Sequence, residues 1–374
     1  MVWSFGNIQN NMRIAIDMSS VIYGTGVSNY RTNLVKNLLK IDTQNEYLLY
    51  GGSLRRLQEL KQKIQDLGLT NKTIVKTFPV PPRLADVVWN KLHTLPIETL
   101  IGQCDLIHTS DWAEPPSKIN KITTIHDLVP IVLPRFTPKI IVDTHKERLK
   151  WVQKESKKII VPSTATKEDL IKLGIDESKI VVIYEAPNIT KATEAQVTES
   201  KRKYAIREEY IIMIGTNPRK NIERAVKAYH LAKHGKNLKM LIIGENKGLK
   251  LEDERGVRFL GYVPTEDLSP LLTGAKALLF PSLYEGFGVP ILESFACEVP
   301  VVTSNISSMP EAAGGAAILV DPYNENSIAE GIEEALSKPK TLIAKGLKVV
   351  ANYSWQKNAE ETLGVYKEVG LFIN

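Results

Sequence analysis

Cysteine is scarce: the 374 residues contain two, Cys104 and Cys297, far apart and outside any C-x-x-C pair. That spacing argues against a disulfide framework or a thiolate zinc site and predicts two small buried side chains. Long hydrophobic runs are also missing. No apolar stretch approaches the roughly 20 residues of a membrane-spanning helix, and the polar opening lacks the cationic and apolar regions of a signal peptide, so a cytoplasmic protein is expected. Internal repeats, low-complexity tracts, a Ser-His-Asp ordering, a Gly-x-x-x-x-Gly-Lys-Ser phosphate loop and Cys/His metal spacing are all absent from the sequence. Hydrolase and kinase readings therefore find no support, and no nucleic-acid partner is expected.

What is present is a 43% apolar chain longer than one hydrophobic core usually organises. Short Ile- and Val-rich runs alternate with amphipathic segments, the pattern of buried parallel strands joined by crossover helices. The fold class is α/β, two doubly wound Rossmann-like halves. Strands are expected at Arg13 to Asp17, Tyr47 to Tyr50, Leu106 to Thr109, Ile122 to His126 and Lys158 to Pro162. A second series runs through Tyr210 to Gly215, Lys239 to Gly244, Val257 to Gly261, Ala277 to Pro281, Val299 to Ser304 and Ala317 to Val320. Residues 1–11 read as a dispensable extension, 12–187 as the first domain and 208–354 as the second. Ala186 to Arg207, with Pro187 and no apolar period, reads as a linker. The last segment, 355–374, has helical character from Trp355 to Gly370 and is placed so that it can cross back to the first domain. Ligands of open α/β sheets bind beyond the carboxyl ends of the strands, so two facing sheets predict one deep cleft.

The most specific motif follows the strand Ala277 to Phe280: Pro281-Ser-Leu-Tyr-Glu285-Gly286-Phe287-Gly288-Val-Pro290-Ile-Leu-Glu293. Pro290 suits a first helical position, which puts Gly286, Phe287 and Gly288 in the turn before a helix. Small residues there let backbone N–H groups approach phosphates at the positive helix end. The carboxylates of Glu285 and Glu293, seven residues apart, can accept hydrogen bonds from sugar and ribose hydroxyls. The bland alternative is a loop-helix junction with surface carboxylates.

This segment resembles the Glu-x7-Glu signature of family-4 glycosyltransferases, and Cys297 to Ser304 with Met309-Pro310-Glu311 resembles the rest of that family's C-terminal domain. The resemblance implies the GT-B fold, transfer with retention of anomeric configuration, contact of Glu285 with the donor sugar and of Glu293 with the ribose, and a turn backbone that holds sugar and diphosphate. It spans nearly the whole chain, most strongly Tyr210 to Asp321.

A second cluster, Gly215-Thr216-Asn217-Pro218-Arg219-Lys220-Asn221, follows the opening strand of the second half. Adjacent cations there can neutralise a departing diphosphate without a metal or cofactor. Lys220 matches the family's Lys, while Thr216 stands where the family places an Arg. Arg219 either reaches back to supply that charge or faces solvent. In the first half, Gly24-Thr25-Gly26-Val27 matches the position of the family's Gly-rich loop across the cleft, or is a plain tight turn. His126, before Asp127, ends a strand; alone it reads as a core histidine, and by resemblance as a ligand of the donor sugar. The loop Tyr262, Val263 and Pro264 is the expected place of base contacts.

The implied partner is a nucleotide-sugar donor. GDP-mannose is the first reading, because the Gly-Thr and Arg-Lys-Asn arrangement resembles bacterial mannosyltransferases; UDP-glucose and UDP-N-acetylglucosamine stay open. A GT-B sugar-nucleotide epimerase and a non-catalytic sugar-nucleotide-binding partner are the alternatives. The net charge of +6 lies in the first half, where residues 1–190 hold 25 Lys and Arg against 19 Asp and Glu. On a helix from Pro138, Lys146, Lys150, Lys154 and Lys157 are expected to line one face. That face is either simply solvated or a contact for an anionic membrane and a polyprenyl-linked or other glycan acceptor.

Overall fold

A computed structural model describes residues 11–370 except 70, 111, 234, 236 and 247; the expected extension, apart from Asn11, and residues 371–374 lie outside the described residues. Among the described residues, thirteen parallel strands form two sheets. The first contains β1 (Arg13–Asp17), β2 (Glu46–Gly52), β3 (Thr73–Phe78), β4 (Leu106–Thr109), β5 (Asn120–Thr124), β6 (Ser156–Val161) and β7 (Ile180–Val182). Its order is β3-β2-β1-β4-β5-β6-β7. The second, ordered β10-β9-β8-β11-β12-β13, contains β8 (Glu209–Ile214), β9 (Leu238–Ile243), β10 (Val257–Gly261), β11 (Leu278–Phe280), β12 (Val301–Ser304) and β13 (Ile318–Val320). Each order reverses beside its first strand, between β1 and β4 and between β8 and β11, so each sheet opens a crevice at the carboxyl ends of those strands.

Central strands such as Ile14-Ala15-Ile16 and Tyr210 to Met213 are buried on both faces, which is why they read as continuous apolar runs. Five helices matter for the site: α1 (Gly26–Ile41), α2 (Lys139–Glu155), α3 (Glu194–Lys203), α4 (Val289–Ala296) and α5 (Trp355–Gly370). Helix α5 packs Ala359, Val365, Tyr366 and Val369 into the core of the first sheet with Ile14 and Leu34. The buried Tyr366 hydroxyl lies 2.7 Å from His108 Nδ1 on β4.

Within the 186–207 stretch, Thr193 and Gln196 form a reciprocal capping box that starts α3, a helix so polar that Ser200 is its one buried residue. Two expectations are corrected. Lys157 is not on the helix with Lys146, Lys150 and Lys154, because α2 ends at Glu155 and Lys157 belongs to β6. Helix α4 begins at Val289, so Pro290 is its second residue, a position where a missing N–H still costs nothing.

Candidate functional site at the domain junction

The turn after β11 is built by glycine and serine. Gly288 has φ +117° and leads into α4, a backbone region that L side chains avoid. The Ser308 hydroxyl is 2.9 Å from the Glu285 carbonyl and 2.7 Å from that of Phe287, and Ser307 Oγ donates to the Glu285 carbonyl at 3.0 Å. These bonds occupy carbonyls and fix the Glu285 backbone over the second sheet. Phe287 turns its ring into the core, stacked on Tyr184 at 5.6 Å; its backbone is what it can offer a ligand.

Glu285 meets both cations of the β8 turn. Lys220 Nζ donates to Glu285 Oε1 at 2.7 Å, and Arg219 pairs with Oε2 while also donating to the Tyr284 carbonyl at 3.1 Å. The Lys220 ammonium also sits 4.2 Å above the Phe280 ring. Burial pushes the Glu285 carboxyl up, but Lys220 and Arg219 outweigh it and hold the group below its ordinary range. Burial likewise lowers Lys220, with Glu285 opposing. Asn221, at φ +62°, locks the turn by donating to the carbonyls of Pro281 at 3.2 Å and Pro322 at 2.7 Å. Thr216 rests against Gly244, where an added Cβ would come within 2.7 Å of its methyl.

Glu293 is buried one turn into α4, and Asn188 Nδ2 donates to its Oε1 at 3.2 Å. Burial raises this carboxyl above its ordinary value, the opposite of Glu285. Val263 packs against the core of the second domain, whereas its neighbour Tyr262 is 80% exposed and is the side chain of that loop open to a ligand.

The first domain touches the same turn. A Cβ on Gly286 would lie 1.8 Å from the His126 carbonyl oxygen, so only glycine fits between the domains. Ser163 Oγ and Thr166 Oγ1 donate to the Gly286 carbonyl at 2.6 and 3.1 Å. His126 Nδ1 is 3.0 Å from Glu185 Oε1, and the imidazole meets Tyr30 edge-on at 4.4 Å. Thr25, between Gly24 and Gly26, is the N-cap of α1 in a capping box with Ser28; Gly24 takes φ +64°. The structure thus gathers Glu285, Arg219, Lys220, Gly286 and His126 at one junction, with Glu293 beneath. The sequence reading missed Glu185, Asn188, Ser163, Ser307 and Ser308. The local signal for Asn188 was its place beside Pro187 in a linker; the serines carried none.

The model for glycosyl transferases group 1 matches residues 196–346, and the model for glycosyltransferase family 4 matches residues 24–189. The chain belongs to this glycosyltransferase family. Among relatives, the glycosyltransferase is 29% identical over 366 residues to the O-antigen chain mannosyltransferase B of Escherichia coli, covering 92% of this chain and 96% of that one. It is 28% identical to the O-antigen chain mannosyltransferase RfbU of Salmonella typhimurium, over 81% of this chain and 85% of that one. Solved structures with the same GT-B fold include Anabaena HepE in complex with UDP and glucose (TM-score 0.69, 14% identity, 96% of this chain and 100% of that one). Sucrose-phosphate synthase of Thermosynechococcus elongatus is another (TM-score 0.71, 18% identity, 96% and 99%).

Beside the junction, the glycosyltransferase has a cleft of about 720 Å³ in its first domain, whose wall includes His126, Asp127, Asn217 and Arg219. Among the described residues, no group of three His, Cys, Asp or Glu side chains is arranged to hold a metal ion, and no helix is long and apolar enough to cross a membrane.

Proposed function

We propose that this glycosyltransferase moves mannose from GDP-mannose to a glycan acceptor, free or polyprenyl-linked, with retention of configuration and without a metal. The observation that carries the reading is the Arg219–Glu285–Lys220 cluster at the lip between the domains. One carboxylate pairs with both the buried Lys220 and the partly buried Arg219. A diphosphate is the ligand that gains from those cations, and its arrival releases Glu285 to accept hydrogen bonds from hydroxyls of the transferred sugar.

As the bond between the anomeric carbon and the diphosphate breaks, the added charge on the leaving oxygen is met by Lys220, Arg219 and the backbone N–H groups of Gly286 to Gly288. The acceptor hydroxyl then attacks the anomeric carbon from the face being vacated, and its proton passes to the departing phosphate oxygen, which balances the step without a separate base. Glu293 holds the ribose, and His126, oriented by Glu185, contacts the donor sugar. Mannose is favoured over glucose or N-acetylglucosamine because both bacterial relatives, each aligned over more than four-fifths of this chain, are mannosyltransferases.

The enzyme is proposed to act on the cytoplasmic side, in contact with an anionic membrane. Supporting this are the exposed lysines of α2, Lys139, Lys146 and Lys150, although Lys139 pairs with Asp143 and Lys150 with Glu147. Nucleotide release from a panel of GDP-mannose, UDP-glucose and UDP-N-acetylglucosamine, with and without a mannose-terminated acceptor, tests the reading. GDP release that rises with acceptor is expected; release from a UDP-sugar alone would reassign the donor.

A further inference from the structure

One helix of the first domain, Thr164–Lys172, is held from the second domain by Tyr284, Gly286 and Glu311. The Gly286 carbonyl takes the hydroxyls of Ser163, the N-cap of this helix, and of Thr166. The Tyr284 hydroxyl donates to Asp169 Oδ2 at 3.0 Å. Glu311 accepts from the Thr164 N–H, which lies 3.0 and 2.9 Å from its two oxygens, and from Thr164 Oγ1 at 2.7 Å. Tyr284 and Gly286 are the chain neighbours of Glu285, so the grip straddles the carboxylate that meets Lys220 and Arg219.

Glu311 stands on a short helix, Met309–Ala313, that is itself tied to the Glu285 turn: its N-cap Ser308 bonds the carbonyls of Glu285 and Phe287, and Met309, Ala312 and Ala313 are buried. A glutamate at the third position of a helix can turn back to cap its own first turn. This one crosses instead to the first turn of a helix in the other domain, where free N–H groups and the positive helix end favour a carboxylate. Its Oε1 also accepts from the Tyr184 hydroxyl at 2.9 Å. Tyr184 stacks on Phe287 and immediately precedes Glu185, the partner of His126. One carboxylate thus reaches the site by two routes, through Thr164 and Ser163 to Gly286 and through Tyr184 and Glu185 to His126.

We infer that Glu311 is a positioning residue for transfer: by holding Thr164 and Tyr184 it sets His126 and the first-domain side of the site against the Glu285 turn. The groups proposed to hold diphosphate and ribose, Lys220, Arg219 and Glu293, all belong to the second domain. Loss of Glu311 therefore leaves nucleotide binding in place and misplaces the groups that must meet during transfer, and a shift of about 1 Å there is enough to slow a reaction about 100-fold. The inference rests on the transferase reading for the step that slows; the contact between the domains does not.

Thr164 is the first residue of its helix and follows Ser163 in extended backbone, φ −156° and ψ 158°, so proline fits there. Thr164→Pro deletes the N–H and the hydroxyl that Glu311 accepts and leaves the helix itself intact. The test measures kcat and KM of the full chain with GDP-mannose and a mannose-terminated acceptor, GDP affinity by calorimetry, and hydrogen exchange at the Thr164 amide. Glu311→Ala and Thr164→Pro should each lower kcat by about 10- to 100-fold with GDP affinity within about twofold of wild type. The double variant should be no slower than the slower single one, and Glu311→Gln, which keeps one acceptor oxygen, should recover part of the loss. Exchange at Thr164 should rise about tenfold in Glu311→Ala. Wild-type kcat in either single variant, a fall in GDP affinity that matches the fall in kcat, or unchanged exchange at Thr164 would overturn the inference. A wild-type enzyme that left GDP-mannose intact would fault the proposed donor, while the same variants on the nucleotide sugar it does turn over, with the exchange at Thr164, would still decide the role of Glu311.

Discussion

Lys220 and Glu285 face each other at 2.7 Å although 65 residues separate them, and each is nine-tenths buried. The pair joins the β8 turn to the β11 turn, so the cation and the carboxylate assigned to opposite ends of the donor's reacting bond are set by one contact.

Lys220→Ala should lower kcat by about 30- to 1000-fold, a barrier increase of ~2–4 kcal/mol, because the leaving diphosphate loses a close cation in a water-poor site. Steady-state nucleotide release measures it. Wild-type turnover in that variant would remove Lys220 from the mechanism.

The two glutamates should part company with pH. Burial raises Glu293, so its carboxylate penalises the fold as pH climbs from the ordinary carboxylate range through the raised value. Glu285 is lowered by its cations, so it contributes stability above the ordinary carboxylate pKa that is lost as pH falls through the lowered one. Glu293→Gln should therefore raise or maintain Tm at pH 7 to 8, with the difference from wild type shrinking near pH 4. Glu285→Gln, which leaves Arg219 and Lys220 without their counter-charge, should cost about 3 kcal/mol at neutral pH and less in acid. Thermal melts across that range read both.

Those glutamates should also divide the chemistry. Glu293→Ala should chiefly weaken binding of free nucleotide, and Glu285→Ala should chiefly impair transfer. Equal losses of nucleotide affinity by calorimetry would refute the division.

Gly286→Ala tests the contact between the domains. The new Cβ would fall 1.8 Å from the His126 carbonyl oxygen, an approach that backbone must yield to. Transfer should drop at least tenfold while the far-ultraviolet circular dichroism stays that of wild type, since each sheet is untouched; unchanged turnover would mean that the contact is not part of the working state.

The parts of the site legible in the sequence were those that local chain geometry dictates. Glu285, Gly286, Gly288 and Glu293 lie within one strand-turn-helix passage, and Arg219 with Lys220 within another, so spacing alone placed them at strand ends. Glu185, Asn188 and Ser163 escaped notice because their partners lie 59, 105 and 123 residues away, and nothing near them in the chain marks that pairing. The same limit applied to the fold. Buried strands such as β1 and β8 announced themselves as apolar runs, whereas the edge strand β3, half-exposed along most of its length, and the three-residue β7 did not. Helix α3 was hidden by its polarity, although Thr193 and Gln196 carried the capping-box signature that would have found it.

The central claim is metal-independent transfer with retention, and one measurement addresses it most directly. Proton NMR can follow the anomeric signals of donor and product while the enzyme acts on GDP-mannose and a mannose-terminated acceptor in excess EDTA. The account predicts GDP together with an α-linked mannose, the configuration of the donor. A β-linked product, or turnover that stops with EDTA and returns with a divalent cation, would contradict it.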